Sequence, residues 1–174
     1  LAVVLPRAGN IGGGGFMVVY LKDKDKSLTI DYREKAPSAA HRDLFLDEEG
    51  NYDRNKAQFS LLSAGVPGSV AGFHYALTNY GTISWQDALK PAIKLAEEGF
   101  IIPHDLANTL ASKRYRERLS ADPAASKVFF KEDGSLYKAG ELLVQKDLAS
   151  TLRQLSEFGP DAFYKGKIAK LIAE

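Results

Sequence analysis

The stretch Gly9–Asp31, GNIGGGGFMVVYLKDKDKSLTID, carries the clearest structural signal in the sequence. Apolar, β-branched and aromatic residues fill Phe16–Leu21 and return in Ser27–Tyr32, and the charged run Lys22–Lys26 separates them. This pattern predicts two strands joined by a solvated turn. Because the first strand is almost entirely apolar, we expect it to be buried on both faces, as in a sheet that lies between other layers.

Four consecutive glycines, Gly12–Gly15, precede the first strand. They do not match a dinucleotide-binding fingerprint, because a strand follows them where that motif requires a helix. They do not match a P-loop either, because the Gly-Lys-Ser/Thr ending is missing. We expect these glycines to adopt positive φ angles and to let the chain approach neighbouring backbone or a ligand closely.

The chain after these strands is predicted to be a surface loop over residues 38–63 and then mainly helical. Ser69 is expected to cap a helix that Gly81 ends, and Ser84 to cap a second helix over Trp85–Glu98. Pro91 lies inside this second helix and is expected to kink it or split it in two.

Two further amphipathic helices are predicted. Pro103 fits the first turn of a helix that carries Leu106, Leu110 and Tyr115. Another helix spans Gln145–Phe158 and ends at Gly159. The basic residues between 113 and 118 are interpreted as a solvated helix face, because no stacking aromatic residues lie among them as in a nucleic-acid site.

The composition excludes several classes of protein. The 174 residues are 45% hydrophobic and 26% charged, as in soluble globular proteins. The net charge is only +1, so no overall field attracts nucleic acid. The apolar runs are far shorter than the roughly 18 residues that a membrane span needs. We therefore expect no nucleic-acid partner and no transmembrane segment in this chain.

Metal and nucleophile chemistry is equally poorly supported. The sequence has no cysteine, and its three histidines, His41, His74 and His104, lack metal-ligand spacing. Ser69 lies in a stretch that resembles a nucleophile elbow, but Pro67 stands where a glycine is required. We expect no metal and no cofactor.

Arg33 is the one candidate binding residue. It follows the second predicted strand, near the glycine run, where its guanidinium is well placed to hold a carboxylate by two parallel hydrogen bonds. An arginine between Asp31 and Glu34 is also typical of a surface ion pair. The residues alone leave both roles open.

The two ends of the chain suggest a piece of a larger protein. The sequence starts with the apolar run Leu1–Leu5 without an initiator methionine, and it stops within a helical pattern that no glycine or proline closes. We interpret residues 1–174 as a single piece, the incomplete N-terminal portion of a larger subunit.

Several motifs occur in a fixed order along the chain: GNIGGGGFM at residues 9–17, DYREKAP at 31–37, GVPGSVAG at 65–72, PAIKLAEEGF at 91–100 and GPDAFYKG at 159–166. Together they resemble the gamma-glutamyltranspeptidase family over essentially the whole chain, in the N-terminal part of that family's large subunit. The resemblance implies an α+β fold, part of a four-layer αββα sandwich of the N-terminal-nucleophile hydrolase type.

The resemblance also implies an activity. Members of the family are made as precursors that cleave themselves, and a threonine at the start of the small subunit attacks the γ-glutamyl amide of glutathione or a related compound. The glutamyl group then passes to water or to an amine acceptor. A periplasmic or secreted location is typical of bacterial relatives.

The resemblance assigns roles to few residues of this chain. None of its threonines lies in the nucleophile context, so we expect no catalytic residue here, an inactive isolated chain, and a partner small subunit that supplies the threonine. Arg33 matches the arginine that holds the α-carboxylate of the γ-glutamyl group. A non-catalytic binding or assembly module is the alternative that the missing nucleophile permits.

Overall fold

The computed structural model describes residues 1–173 and shows a chain of mixed helix and sheet, which confirms the α+β prediction. The strands are β1 Phe16–Leu21, β2 Lys26–Asp31, β3 Phe100–Ile101 and β4 Leu142–Leu143. The α-helices are α1 Arg54–Phe59, α2 Ser69–Tyr80, α3 Trp85–Glu98, α4 His104–Ala111, α5 Lys113–Ala121, α6 Pro123–Phe129, α7 Lys146–Phe158, α8 Asp161–Tyr164 and α9 Lys167–Ala173. The chain divides into two compact units. The first unit is formed by Ile11–Gly81, and the second unit by Leu1–Asn10 with the chain from Thr82 onward.

Strands β1 and β2 form the antiparallel hairpin that the sequence predicts. Phe16 lies opposite Asp31, and Leu21 lies opposite Lys26. The charged turn between them contains Asp25, whose φ of 42° is left-handed and whose carboxylate accepts a hydrogen bond of 2.9 Å from the Tyr20 hydroxyl. An aspartate tolerates this conformation better than most residues.

The prediction that β1 is buried on both faces is wrong for this chain. Phe16, Val18 and Tyr20 alternate along the outer face of the strand with exposed fractions of 65%, 76% and 59%. Ile30 of β2 is buried, and helix α2 contacts this strand. No second layer covers the outer face within residues 1–173, so an apolar strand is left half exposed.

Helix α2 begins with Ser69, and Gly68 occupies the capping position that was expected for Ser69. The backbone N–H groups of Gly68 and Ser69 donate to the carbonyl oxygen of Gly13, at 2.9 and 3.0 Å. A backbone acceptor from another segment therefore replaces the side-chain cap that local sequence predicts. Gly81 ends the helix as predicted.

The predicted surface loop over residues 38–63 contains more structure than expected. Asp47 forms a turn, in which its carboxylate accepts hydrogen bonds from the N–H groups of Glu49 and Asn51. Helix α1 then begins after Asp53, whose carboxylate caps its first turn, and a short 3-10 helix over Leu61–Ser63 follows. The cap at Asp53 is the local signal that the sequence prediction missed.

The core of the second unit forms where α3 packs against α7. Leu152 and Leu155 of α7 and Ala96 of α3 are almost completely buried. The Trp85 indole N–H donates to the Leu155 carbonyl oxygen at 2.7 Å, which joins the start of one helix to the end of the other. Strands β3 and β4 pair beside this core, with Phe100 opposite Leu143.

The predicted bounds of helix α3, Trp85–Glu98, and its cap at Ser84 are confirmed. The Ser84 hydroxyl accepts a hydrogen bond of 3.0 Å from the Asp87 N–H. The helix runs without interruption through Pro91, so the prediction of a split is wrong. A proline removes one helical hydrogen bond, and the bonds on either side keep the helix continuous.

The third predicted helix is two helices, which corrects the placement of Tyr115. Helix α4 ends at Ala111, Ser112 is extended, and Tyr115 belongs to α5. Pro103 lies at the capping position, outside the first turn where it was expected. The basic residues of α5 are exposed, in agreement with the interpretation of a solvated face.

Within residues 1–173 no helix has the length and apolar character needed to span a lipid bilayer.

Candidate functional site

Arg33 lies in the segment that leaves β2, and neighbouring segments hold this backbone on two sides. Tyr32 exchanges backbone hydrogen bonds with Gly15, at 3.0 and 3.3 Å, which extends the hairpin by one pair. Lys35 exchanges backbone hydrogen bonds with Val66, at 2.8 and 3.2 Å. Arg33 and Glu34 therefore project from a short backbone stretch that is fixed at both ends.

Glycines surround this backbone because side chains would not fit. A Cβ atom on Gly14 would lie 2.5 Å from the Tyr32 carbonyl oxygen and 2.8 Å from the Glu34 nitrogen. Gly68 packs even more closely against the Tyr32 carbonyl group, and Gly72 packs under the Tyr32 ring. The Tyr32 ring also meets the Phe73 ring edge to face, with centroids 5.5 Å apart.

The close approach expected of the glycine run is confirmed at Gly14, but the expected conformation is wrong. None of Gly12–Gly15 has a positive φ; the glycines that do lie elsewhere, as at Gly50 and Gly99. Gly14 is required for the space around the backbone of residues 32–34, and a left-handed turn plays no part in it.

The Arg33 guanidinium has one charged partner and one aromatic partner. Its Nε donates to Glu34 Oε2 at 3.2 Å, and its central carbon lies 5.7 Å from the centre of the Phe16 ring. The Asp31 carboxylate accepts the backbone N–H of Arg33 at 3.0 Å, and the guanidinium pairs with Glu34 instead. Neither Nη nitrogen makes a hydrogen bond within residues 1–173.

This arrangement leaves Arg33 able to bind an anion. Its side chain is 61% exposed, and the pair with Glu34 uses only Nε, so the Nη edge stays accessible to a carboxylate ligand. The two Nη groups offer parallel N–H donors, which is the geometry that a carboxylate accepts best.

A cavity of about 600 Å³ opens beside Arg33 within the first unit. Its walls come mainly from residues 33–37, 40–45 and 62–65. They include Glu34, Lys35, His41, Phe45 and Ser63. Charged and apolar groups therefore line one space of the size that suits a small ligand.

The structure brings together some of the residues considered from the sequence and separates others. The ion pair of Arg33 with Glu34 was one of the two roles left open, and it is present; carboxylate binding by Arg33 stays a prediction. His41 lines the cavity, whereas His74 and His104 belong to α2 and α4. Residues 1–173 contain no cluster of three or more side chains that could hold a metal ion.

Sequence reasoning missed Phe16 and Tyr32 as parts of this site. Hairpin register was the available signal for Phe16, because pairing the two strands places it opposite Asp31, two residues before Arg33. No local signal identifies the position of the Tyr32 ring, because the ring packs against the distant Gly72 and Phe73.

Comparison with known proteins places this geometry in a family. A family model described as gamma-glutamyltranspeptidase matches residues 1–174. The chain is 47% identical over 174 residues to the glutathione hydrolase proenzyme of Escherichia coli K12 and 44% identical over 176 residues to that of Bacillus subtilis 168. These matches cover all of this chain but 30% and 29% of the relatives, so the chain spans about a third of their length.

Solved structures agree with this assignment. The crystal structure of Helicobacter pylori gamma-glutamyltranspeptidase matches with a TM-score of 0.93 and 46% identity, over 99% of this chain and 48% of that one. The Bacillus anthracis transpeptidase CapD matches with a TM-score of 0.75 and 33% identity, over 99% of this chain and 51% of that one. Over residues 1–174, with Arg33 in its DYREKAP segment, this chain belongs to the gamma-glutamyltranspeptidase family.

Proposed function

We propose that this chain is part of the large subunit of an enzyme that cleaves the γ-glutamyl amide of glutathione and related compounds. The observation that carries the proposal is the family match over residues 1–174, which includes Arg33 in its motif. In this enzyme Arg33 binds the α-carboxylate of the γ-glutamyl group through its Nη edge.

The nucleophile belongs to a second subunit. A threonine at the start of that small subunit attacks the γ-carbonyl carbon, its own α-amine takes the hydroxyl proton, and the leaving amine departs with a proton as an ester forms. Water or an amine acceptor then attacks the ester and releases glutamate or a new γ-glutamyl amide. This chain contributes binding and orientation of the glutamyl group, so it is inactive alone.

The names of the relatives support one further feature of the proposal, the precursor. The relatives are named proenzymes, which agrees with a precursor that cleaves itself into the two subunits. Joined to the rest of the polypeptide, the β1–β2 hairpin belongs to one sheet of an αββα sandwich of the N-terminal-nucleophile hydrolase type. We also propose that the enzyme resides in the periplasm or outside the cell.

Arg33 provides the test in the full-length protein. The two substrates are a γ-glutamyl anilide and the matching 4-aminobutanoyl anilide, which lacks the α-carboxylate. Arg33→Ala is expected to lower kcat/KM for the first by about ten- to a hundredfold, because it removes a charge-assisted contact of roughly 1.5–3 kcal/mol. The same variant is expected to change kcat/KM little for the second substrate.

Two further variants sharpen this experiment. Arg33→Lys keeps the charge but loses the planar pair of donors, so it should recover only part of the lost specificity. Arg42→Ala is the control, since Arg42 is an exposed arginine of the same unit whose side chain pairs with its neighbour Asp43. Equal preference for the two substrates in wild type and Arg33→Ala would contradict the proposed role and leave Arg33 as a structural ion-pair residue.

A further inference from the structure

We propose that Glu34 is a positioning residue that holds the Arg33 guanidinium by its Nε edge, so that only the Nη edge is presented to the substrate carboxylate. The inference rests on the proposed function and names a second residue of the same site. Glu34 touches Arg33 and acts through it.

The edges of a guanidinium explain why this contact matters. A carboxylate can bind an arginine across Nε and one Nη, or across the two Nη atoms. The 3.2 Å hydrogen bond from Nε to Glu34 Oε2 occupies the first edge and leaves both Nη atoms without an acceptor among residues 1–173. One binding mode is blocked, and the substrate carboxylate is directed to the other.

Glu34 is the fixed member of the pair. Its side chain is 33% exposed against 61% for Arg33. A Cβ atom on Gly65 would lie 2.8 Å from the Glu34 Cβ, so the base of the Glu34 side chain rests directly on the Gly65 backbone. The next residue, Lys35, is paired with Val66, which fixes the backbone beyond Glu34.

Phe16 restrains Arg33 in the remaining direction. Its ring lies 5.7 Å from the guanidinium carbon, a distance at which a cation and an aromatic ring attract each other. Glu34 acts at the edge of the guanidinium and Phe16 acts from the ring beside it. Together they limit the orientations of a long and otherwise mobile side chain before substrate binds.

The test compares three substitutions of Glu34 in the full-length, processed protein. Glu34→Ala removes the acceptor, Glu34→Asp keeps the charge but shortens its reach, and Glu34→Gln keeps an acceptor at the same reach. With the γ-glutamyl anilide, we expect the Ala and Asp variants to raise KM by about three- to tenfold with kcat changed by less than about twofold, and the Gln variant to stay close to wild type. With the 4-aminobutanoyl anilide, none of the three variants should change KM.

Coupling to Arg33 separates positioning from a general structural effect. In an Arg33→Ala background, which has no guanidinium for Glu34 to hold, Glu34→Ala should add nothing to the loss. Glu48→Ala is the matched control, because Glu48 is an exposed glutamate in a turn of the same unit.

The outcomes distinguish this inference from the proposed function. If Arg33→Ala fails to discriminate between the two substrates, the proposed function fails. If Arg33→Ala discriminates but the Ala and Asp variants leave KM unchanged or lower it, or raise KM equally for both substrates, the positioning role of Glu34 is overturned. If Glu34→Ala does not mature, Glu34→Asp and Glu34→Gln decide: the role requires Asp to raise KM and Gln to preserve it.

Discussion

Close packing around Tyr32 leaves room only for glycine at three neighbouring positions. Its carbonyl oxygen faces Gly14 and Gly68, and its ring faces Gly72, at distances that leave no room for a side chain. Gly14 lies far from Gly68 and Gly72 in the sequence, but the three glycines enclose one residue. The backbone that presents Arg33 is thus located by the absence of side chains on two neighbouring segments, the glycine run and the start of α2.

Gly68→Ala is expected to destabilise the first unit. The new methyl group would collide with the Tyr32 carbonyl group, and that carbonyl cannot withdraw without weakening its pairing with Gly15. Overpacking of this kind costs roughly 1–3 kcal/mol of unfolding free energy. Chemical denaturation of the purified protein measures the change.

Gly134→Asn is the control for this substitution. Gly134 has a φ of +77°, which asparagine tolerates, and a Cβ atom there would meet no atom of residues 1–173 within 4 Å. Its effect should be within about 0.5 kcal/mol. A Gly68→Ala protein as stable as wild type would show that the Tyr32 backbone moves freely, against the packing described above.

Local sequence predicts the bounds of a helix correctly where capping residues next to the helix determine its ends. Ser84 and Gly99 flank α3, and the bounds of α7 follow from an apolar repeat that ends at Gly159. Ser69 failed as a predicted cap because the Gly13 carbonyl, which is distant in sequence, takes its place. The same limit applies to the site: the motif around Arg33 identified it, whereas its contact with Phe16 depends on strand pairing.

Gln145 joins two elements that are far apart in the chain. Its side-chain amide is buried and donates to the Val3 carbonyl oxygen at 3.0 Å, while its backbone N–H donates to the Ala96 carbonyl oxygen at 2.8 Å. Gln145→Met keeps the volume but leaves the Val3 carbonyl without this donor, and an unsatisfied buried polar group costs about 1–3 kcal/mol.

The measurement is the free energy of unfolding of the purified protein. The exposed Gln86 of α3 gives the control Gln86→Met, which should change stability by less than about 0.5 kcal/mol. If both variants unfold at the same denaturant concentration as wild type, the hydrogen bond to Val3 contributes nothing to holding the N-terminal segment.

Glu141 makes the folding stability of the second unit depend on pH. Hydrogen bonds from the Lys138 backbone N–H, at 2.7 Å, and from Lys131, at 3.0 Å, lower the pKa of the Glu141 carboxyl below its ordinary value. Because the pKa is lower in the folded state, the carboxylate adds stability above the ordinary glutamate pKa and loses it as the pH falls through the lowered value.

Glu141→Gln should therefore melt at a lower temperature than wild type at neutral pH, and the difference should shrink as the pH falls below about 4.3, the ordinary glutamate pKa. Thermal unfolding at several pH values measures this difference. Glu132→Gln in the same loop is the control, because Glu132 is exposed and makes no ion pair within residues 1–173. A difference that does not vary with pH would contradict the role of the Glu141 charge.

At the scale of the whole molecule, one face of the β1–β2 hairpin is both apolar and exposed. The outer face of β1 exposes Phe16, Val18 and Tyr20 side by side, and β1 and β2 form a sheet of only two strands within residues 1–173. The relatives are about three times as long as this chain, so they contain further segments that can cover such a face. Contiguous exposed apolar side chains on a sheet favour association.

The isolated chain is therefore expected to self-associate through this face. Light scattering should show an average mass that rises with protein concentration, and Val18→Lys should reduce the rise because it places a charge at the centre of the exposed strand face. Thr78→Lys, on the exposed side of α2, adds the same charge elsewhere in the unit and should leave association unchanged. A wild-type chain that stays monomeric at all concentrations, or equal suppression by both lysines, would show that the β1 face does not drive association. In the second case, net charge alone would explain the effect.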